Sequence, residues 1–117
     1  MGITHVEASL TGASKKPVVL KFLVDSGATY TLLPYEAWKK LGLKPKKSME
    51  FTLADGTSIE RKISECHISL PQGEAHTPVI LGEPGDQPLL GVVTLEILGI
   101  VFNPFKRTLH PMQMMLA

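Results

Sequence analysis

The strongest constraint on this chain is a carboxylate placed where an apolar strand would otherwise continue. Phe22, Leu23 and Val24 form a β-prone run that leads straight into Asp25-Ser26-Gly27. Burying a carboxylate is costly unless it is hydrogen-bonded or partly protonated. The fold must therefore bring donors to Asp25. Gly27 lets backbone approach closely and offers an unobstructed N–H, and Ser26 offers a hydroxyl. Two readings follow: an Asx-type turn in a hairpin, or an acid held at fixed orientation in a low-dielectric site.

The rest of the chain supplies a sheet. Val6, Ala8 and Leu10 alternate with polar residues, "TGASKKP" turns, and Val18 to Val24 returns, which predicts a β-hairpin. "TYTLL" reads as a short strand. "PYEAWKKLGL" reads as a helix, with Pro34 in the first turn, Glu36 early, lysines late and Gly42 after them. Ala37, Trp38 and Leu41 share its buried face. Two β-prone runs flank Asp55-Gly56, a pair that tolerates the positive φ of tight hairpins. Cys66, Ile68 and Leu70 alternate with His67 and Ser69, so one face is buried. "PQGEAHTP" reads as a loop and "VILG" as a short apolar strand. Val93 to Leu98 has helical spacing closed by Gly99. Ile100 to Phe102 reads as a strand, and Leu109 with Met112 to Leu116 as a last strand pair. Residues 1–117 form a single, mostly β domain.

Composition removes several alternatives. The net charge of +1 gives no electrostatic case for nucleic acid or an anionic membrane. The lysines at 39, 40, 44, 46 and 47 read as a solvated helix end and loop rather than a phosphate-binding patch. One cysteine excludes an intrachain disulfide. Without a leader-like N-terminus or a bilayer-length apolar run, the chain reads as cytoplasmic. His5, His67, His76 and His110 show no ligand spacing, so neither metal nor cofactor is expected. Ser26 lacks the flanking glycines and following helix of a nucleophile elbow.

"LVDSGATYTLL" resembles the active-site loop of aspartic proteases, apolar-apolar-Asp-Thr/Ser-Gly-Ala/Ser. "PLLGVVTLEILG" resembles their second signature, an apolar-apolar-Gly strand followed by a short helix. The "ADGTS" turn stands between them where the family has its flap. From about Val18 to Leu116 the chain is similar to the single-domain retropepsin-like enzymes. The inserted helix resembles that of the microbial members, and the flap tip differs from the glycine-rich viral one.

The resemblance implies an acid-protease β-barrel, closed or partly open, in a single lobe that homodimerises. It implies Asp25 as the catalytic residue, one per subunit. Ser26, Gly27, Ala28 and Thr29 would form the active-site loop and contact substrate backbone. Ala54, Asp55, Gly56 and Thr57 would form the flap, and Leu89, Leu90 and Gly91 the second signature. The chemistry needs two carboxylates, and the only aspartates are Asp25, Asp55 and Asp86. Asp55 belongs to the turn, and Asp86 lacks an apolar approach and a following Ser/Thr-Gly. The second acid is therefore expected from another copy of the chain, across a two-fold axis. The substrate would be an extended peptide or unfolded protein. Ser26 would lock the two loops together, and "PMQMML" would join an interchain sheet. Ala28 supplies no hydroxyl to an ionised carboxylate, which implies an optimum less acidic than pepsin's. The alternative is a catalytically silent peptide-binding or scaffold module of the same fold.

Overall fold

The structure is a computed structural model that describes residues 4–112. Its elements, in chain order, are β1 (His5–Thr11), β2 (Val18–Val24), β3 (Thr31–Leu33), α1 (Tyr35–Lys40), β4 (Lys47–Thr52), β5 (Ser58–Leu70), β6 (Gly73–Leu81), β7 (Leu89–Leu90), α2 (Val92–Leu98), β8 (Ile100–Asn103) and β9 (Thr108–Pro111). No helix among the described residues is long and apolar enough to cross a membrane.

Seven strands join in the order β1-β2-β7-β3-β6-β5-β4, and β1 also pairs with β5. That last pairing closes β1, β2, β7, β3, β6 and β5 into a ring, compatible with the expected barrel. The β1–β2 and β4–β5 hairpins form as expected, in registers such as Leu10↔Val18 and Phe51↔Ile59. Gly56 takes φ +88° in the second turn, which an L side chain would resist. β8 and β9 form a separate hairpin. The centre is filled by side chains from every layer, including the fully buried Leu10, Phe22, Leu33, Leu41, Ile68 and Leu90. Truncating Phe22 to alanine would cost about 3–5 kcal/mol through lost transfer energy and the cavity left behind.

Several boundaries differ from the sequence reading. Pro34 is the N-cap of α1 rather than a residue of its first turn, with φ −65° and ψ 157°. Its ring sets φ in advance while its carbonyl accepts from Ala37 N–H (3.0 Å). Ala37 and Leu41 are buried as expected, and the half-buried Trp38 donates its indole N–H to Gly82 O (2.8 Å). "PQGEAHTP" is not a loop. After the two-residue turn at Pro71-Gln72, β6 runs from Gly73, with Glu74 and His76 exposed and Thr77 buried. The alternation continues an outward-facing polar row, which polarity alone disguises as a loop. "TYTLL" contributes only Thr31–Leu33 to β3. Its first residues serve a helix end instead, as described below. α2 and its αL cap at Gly99 match the expectation. β9 ends at Pro111, and residues 113–117 of the expected last strand pair lie outside the described residues. The five lysines between 39 and 47 are exposed.

Candidate active site

β2 delivers Asp25 to a point where three chain segments meet. β7 runs parallel to β2 (Leu23↔Leu89, Val24↔Leu90) and antiparallel to β3 (Leu32↔Leu89). Two residues of β7 thus bridge the strands entering and leaving the Asp25 loop. Asp25 N–H donates to Leu90 O (3.2 Å), and Val24 N–H to Thr4 O (2.9 Å). The Asp25 residue is half-buried, and its Oδ1 accepts the Gly27 N–H at 2.9 Å. Ala28 N–H donates to the Asp25 carbonyl at 3.1 Å. The carboxylate is therefore oriented by its own loop. The Asx-type turn and the fixed acid are the same object.

The loop is also tied to the second signature. α2 has no side-chain N-cap. Its leading N–H groups, which need partners from outside the helix, are met by the loop: Val92 donates to Ala28 O and Val93 to Thr29 O, both at 2.9 Å. This takes Thr29 out of β3. Gly91 makes the contact possible. A Cβ there would stand 2.5 Å from the Tyr30 carbonyl carbon and 2.8 Å from Thr29 O. Among the described residues, the loop's Thr29 N–H and Gly27 C=O have no hydrogen-bond partner.

Beneath the loop lies a hydroxyl chain that the sequence reading missed. Gly91 N–H donates to Thr31 Oγ1 (3.0 Å). Thr31 Oγ1 lies 2.5 Å from Thr94 Oγ1, which lies 2.7 Å from Thr77 Oγ1. Thr77 donates to Pro78 O (3.2 Å). All three threonines are buried. Because Thr31 accepts from Gly91, a single direction of donation along the chain satisfies every hydroxyl. It ties together β3, α2 and β6. Isolated threonines in strands and at helix starts are so common that nothing in the sequence sets these apart.

The Ala54–Thr57 turn lies between β4 and β5 and is exposed. Asp55 Oδ1 accepts Thr57 Oγ1–H (2.6 Å) and Thr57 N–H (3.0 Å). Those bonds, the side-chain one first, hold its carboxyl below the usual carboxylate range. Asp86 Oδ2 accepts Glu83 N–H at 2.7 Å. Both remaining aspartates are thus used in their own turns. The turn's strand meets the end of the loop where Tyr30 stands edge-on to Phe51, with centroids 6.0 Å apart. Exposed Ser26 borders a 220 Å³ cavity together with Leu95, Ile100, Val101 and Phe102. Among the described residues, no group of three or more potential ligands is placed to hold a metal.

These features match known proteins in two comparisons. A family model for aspartyl proteases matches residues 6–94. The solution structure of the Simian Foamy Virus (mac) protease superposes with a TM-score of 0.57 at 22% identity, covering 80% of this chain and 92% of that one. No curated protein matches the chain. The structural likeness concerns the fold, and the family match spans the Asp25 loop, β7 and the start of α2. The chain belongs to the aspartyl protease family.

Proposed function

We propose that the chain is an endopeptidase whose working unit is a two-fold homodimer, with Asp25 of each copy forming one catalytic pair. The observation that carries this reading is the state of the three aspartates. Asp55 and Asp86 serve their own turns, whereas Asp25 sits half-buried on a loop anchored from two sides. One chain therefore offers one suitable acid. A partner would cover the apolar ground beside Ser26, where Val101 stands 45% exposed.

The chemistry follows from placing the two carboxyls together. Two like charges about 4 Å apart at an effective dielectric of about 20 repel by roughly 4 kcal/mol. The pair therefore retains one proton. The ionised member takes a proton from a water as it attacks the scissile carbonyl, and the protonated member donates to the carbonyl oxygen. Collapse of the tetrahedral adduct breaks the C–N bond: the proton taken from water passes to the leaving nitrogen, and one hydroxyl of the adduct returns a proton to the pair as the carboxylic acid forms. The loop's Gly27 C=O and Thr29 N–H would pair with an extended substrate backbone. The Asp55–Thr57 turn would close over it as a flap.

Cleavage of an unstructured protein by the wild type and by Asp25→Asn tests the assignment, with sedimentation giving the mass in solution. The reading expects a dimer, and loss of at least about 1000-fold in rate on removal of the general base and acid. Equal cleavage by both proteins overturns the role of Asp25. A fully active monomer overturns the shared pair. A dimer that cleaves nothing supports the catalytically silent alternative.

A further inference from the structure

A second cavity lies far from Asp25, at the far end of the β1–β2 hairpin. Thr11 stands six residues beyond His5 along β1, roughly 20 Å at strand rise. The cavity has a volume of about 510 Å³, and Thr11, Lys44, Lys46, Glu65, Cys66 and His67 contribute to its lining. It lies over a gap in the sheet. On one edge of β5, β4 leaves at Ile63, where Lys46 N–H donates to Ile63 O (2.8 Å), and β1 joins at His67. Ser64, Glu65 and Cys66 have no partner strand on that edge.

Strand geometry identifies the open groups. Main-chain groups alternate between the two edges of a strand. Ile63 faces the β4 edge, so Glu65 does too, while Ser64 and Cys66 face β6. Pro78, which has no N–H, stands opposite Glu65, as befits a position where β5 offers β6 nothing. The Glu65 N–H and C=O thus open into the cavity. Both ends of the gap are shut, by the chain leaving β1 through Gly12 and by the chain entering β4 through Lys44 and Pro45. An extended segment cannot run through such a slot, but a chain end can enter it.

Charge selects which end. Lys44, Lys46, His67 and His76 border the cavity. Lys46 is paired with Glu65 at 2.8 Å and His67 with Glu74 at 3.4 Å, and Lys44 has no ion pair among the described residues. Ser14 N–H donates to Leu41 O (3.0 Å), which fixes the chain next to Ala13, itself part of the lining. We infer that this slot binds the C-terminal end of an acidic polypeptide. Its last two or three residues would add to β5 at Glu65, and its terminal carboxylate would meet Lys44, while Lys46 stays paired with Glu65. This site is separate from the catalytic proposal and does not depend on it.

The test uses the full chain carrying Asp25→Asn, so that peptides stay intact. A short, fluorescently labelled peptide ending in Asp-Glu with a free carboxylate is titrated by polarisation, alongside its C-terminal amide and a version N-methylated in its last residues. The inference expects binding that weakens about 10-fold or more for the amide and for Lys44→Glu, the worth of one charge-assisted hydrogen bond. N-methylation should weaken it similarly. Lys39→Glu with Lys40→Glu, on the neighbouring basic surface, should leave it unchanged. In solution NMR the Glu65 amide, fast-exchanging when free, should become protected. Absence of binding at millimolar peptide overturns the inference. So does equal binding of the N-methylated peptide or of a DNA oligonucleotide, or equal damage from the Lys39 and Lys40 changes, since each describes a general basic surface.

Discussion

The buried hydroxyl chain beneath the Asp25 loop makes a graded prediction. Thr31→Val keeps the shape of the side chain and removes its oxygen. It leaves the Gly91 N–H, bonded at 3.0 Å in the wild type, unpaired in a dry site. An orphaned buried donor costs about 1–3 kcal/mol, and the lost Thr31–Thr94 bond about 1 more. Thr77→Val, at the other end, removes the bond to Thr94 and a weak one to Pro78 O. It strands no main-chain donor, and the Thr94 hydroxyl that loses its acceptor can rotate as a fixed N–H cannot, so the smaller cost of about 1 kcal/mol is expected. With 117 residues, each kcal/mol shifts Tm by about 4 °C. Thr31→Val should therefore melt about 8–16 °C below wild type and Thr77→Val about 4 °C below. Urea unfolding at one fixed protein concentration should show the same order with unchanged m-values, concentration being fixed because association adds stability. If the two variants match, or if Thr31→Val lies within about 0.5 kcal/mol of wild type, the directed chain of hydroxyls is refuted.

Three further outcomes follow. Gly91→Ala should cost about 3 kcal/mol, the upper end for overpacking against fixed backbone, and should abolish peptidase activity by displacing Thr29 and Tyr30. A variant with wild-type melting and turnover contradicts the close approach. The Asp55 carboxyl is depressed by Thr57, so its contribution to turn order is present above the unfolded value near pH 4 and lost as pH falls through the folded value. The Thr57 amide resonance should move over that acidic range, and Asp55→Asn should keep the turn but lose the response. Burial, and then the charge of Glu65, pushes the Cys66 thiol up to about 12. At pH 8 a disulfide reagent should react with it about 1000-fold more slowly than with an exposed thiol, and labelling at the free-thiol rate would show the site to be open.

Local chemistry made much of this molecule legible. The Asp55-Gly56 turn, the αL cap at Gly99 and the alternation of Cys66, Ile68 and Leu70 are all decided within a few residues. The errors arise where a residue's role is set from far along the chain. Thr29 and Tyr30 are as β-prone as Thr31, yet Thr29 O caps a helix more than sixty residues away in the chain. Glu74 and His76 look like loop residues until β5 supplies the partner that makes them the outer row of β6. At the site, the Asp25 loop was visible as a motif because acid, glycine and apolar approach are contiguous. The threonine chain was not, because Thr31, Thr77 and Thr94 meet only after β3, β6 and α2 have assembled.

The two-residue β7 also governs when the loop comes into being. Asp25 is synthesised before the groups that fix its loop, which come from Leu89 to Thr94, with Gly91 lying 60 residues after its partner Thr31. At 5–20 residues per second, this leaves roughly 3–13 s during which the acid exists without its setting. Closing so long a loop is among the slower events of folding. A nascent chain therefore carries the carboxylate in an unformed site, and its chemistry begins only after most of the domain has been made.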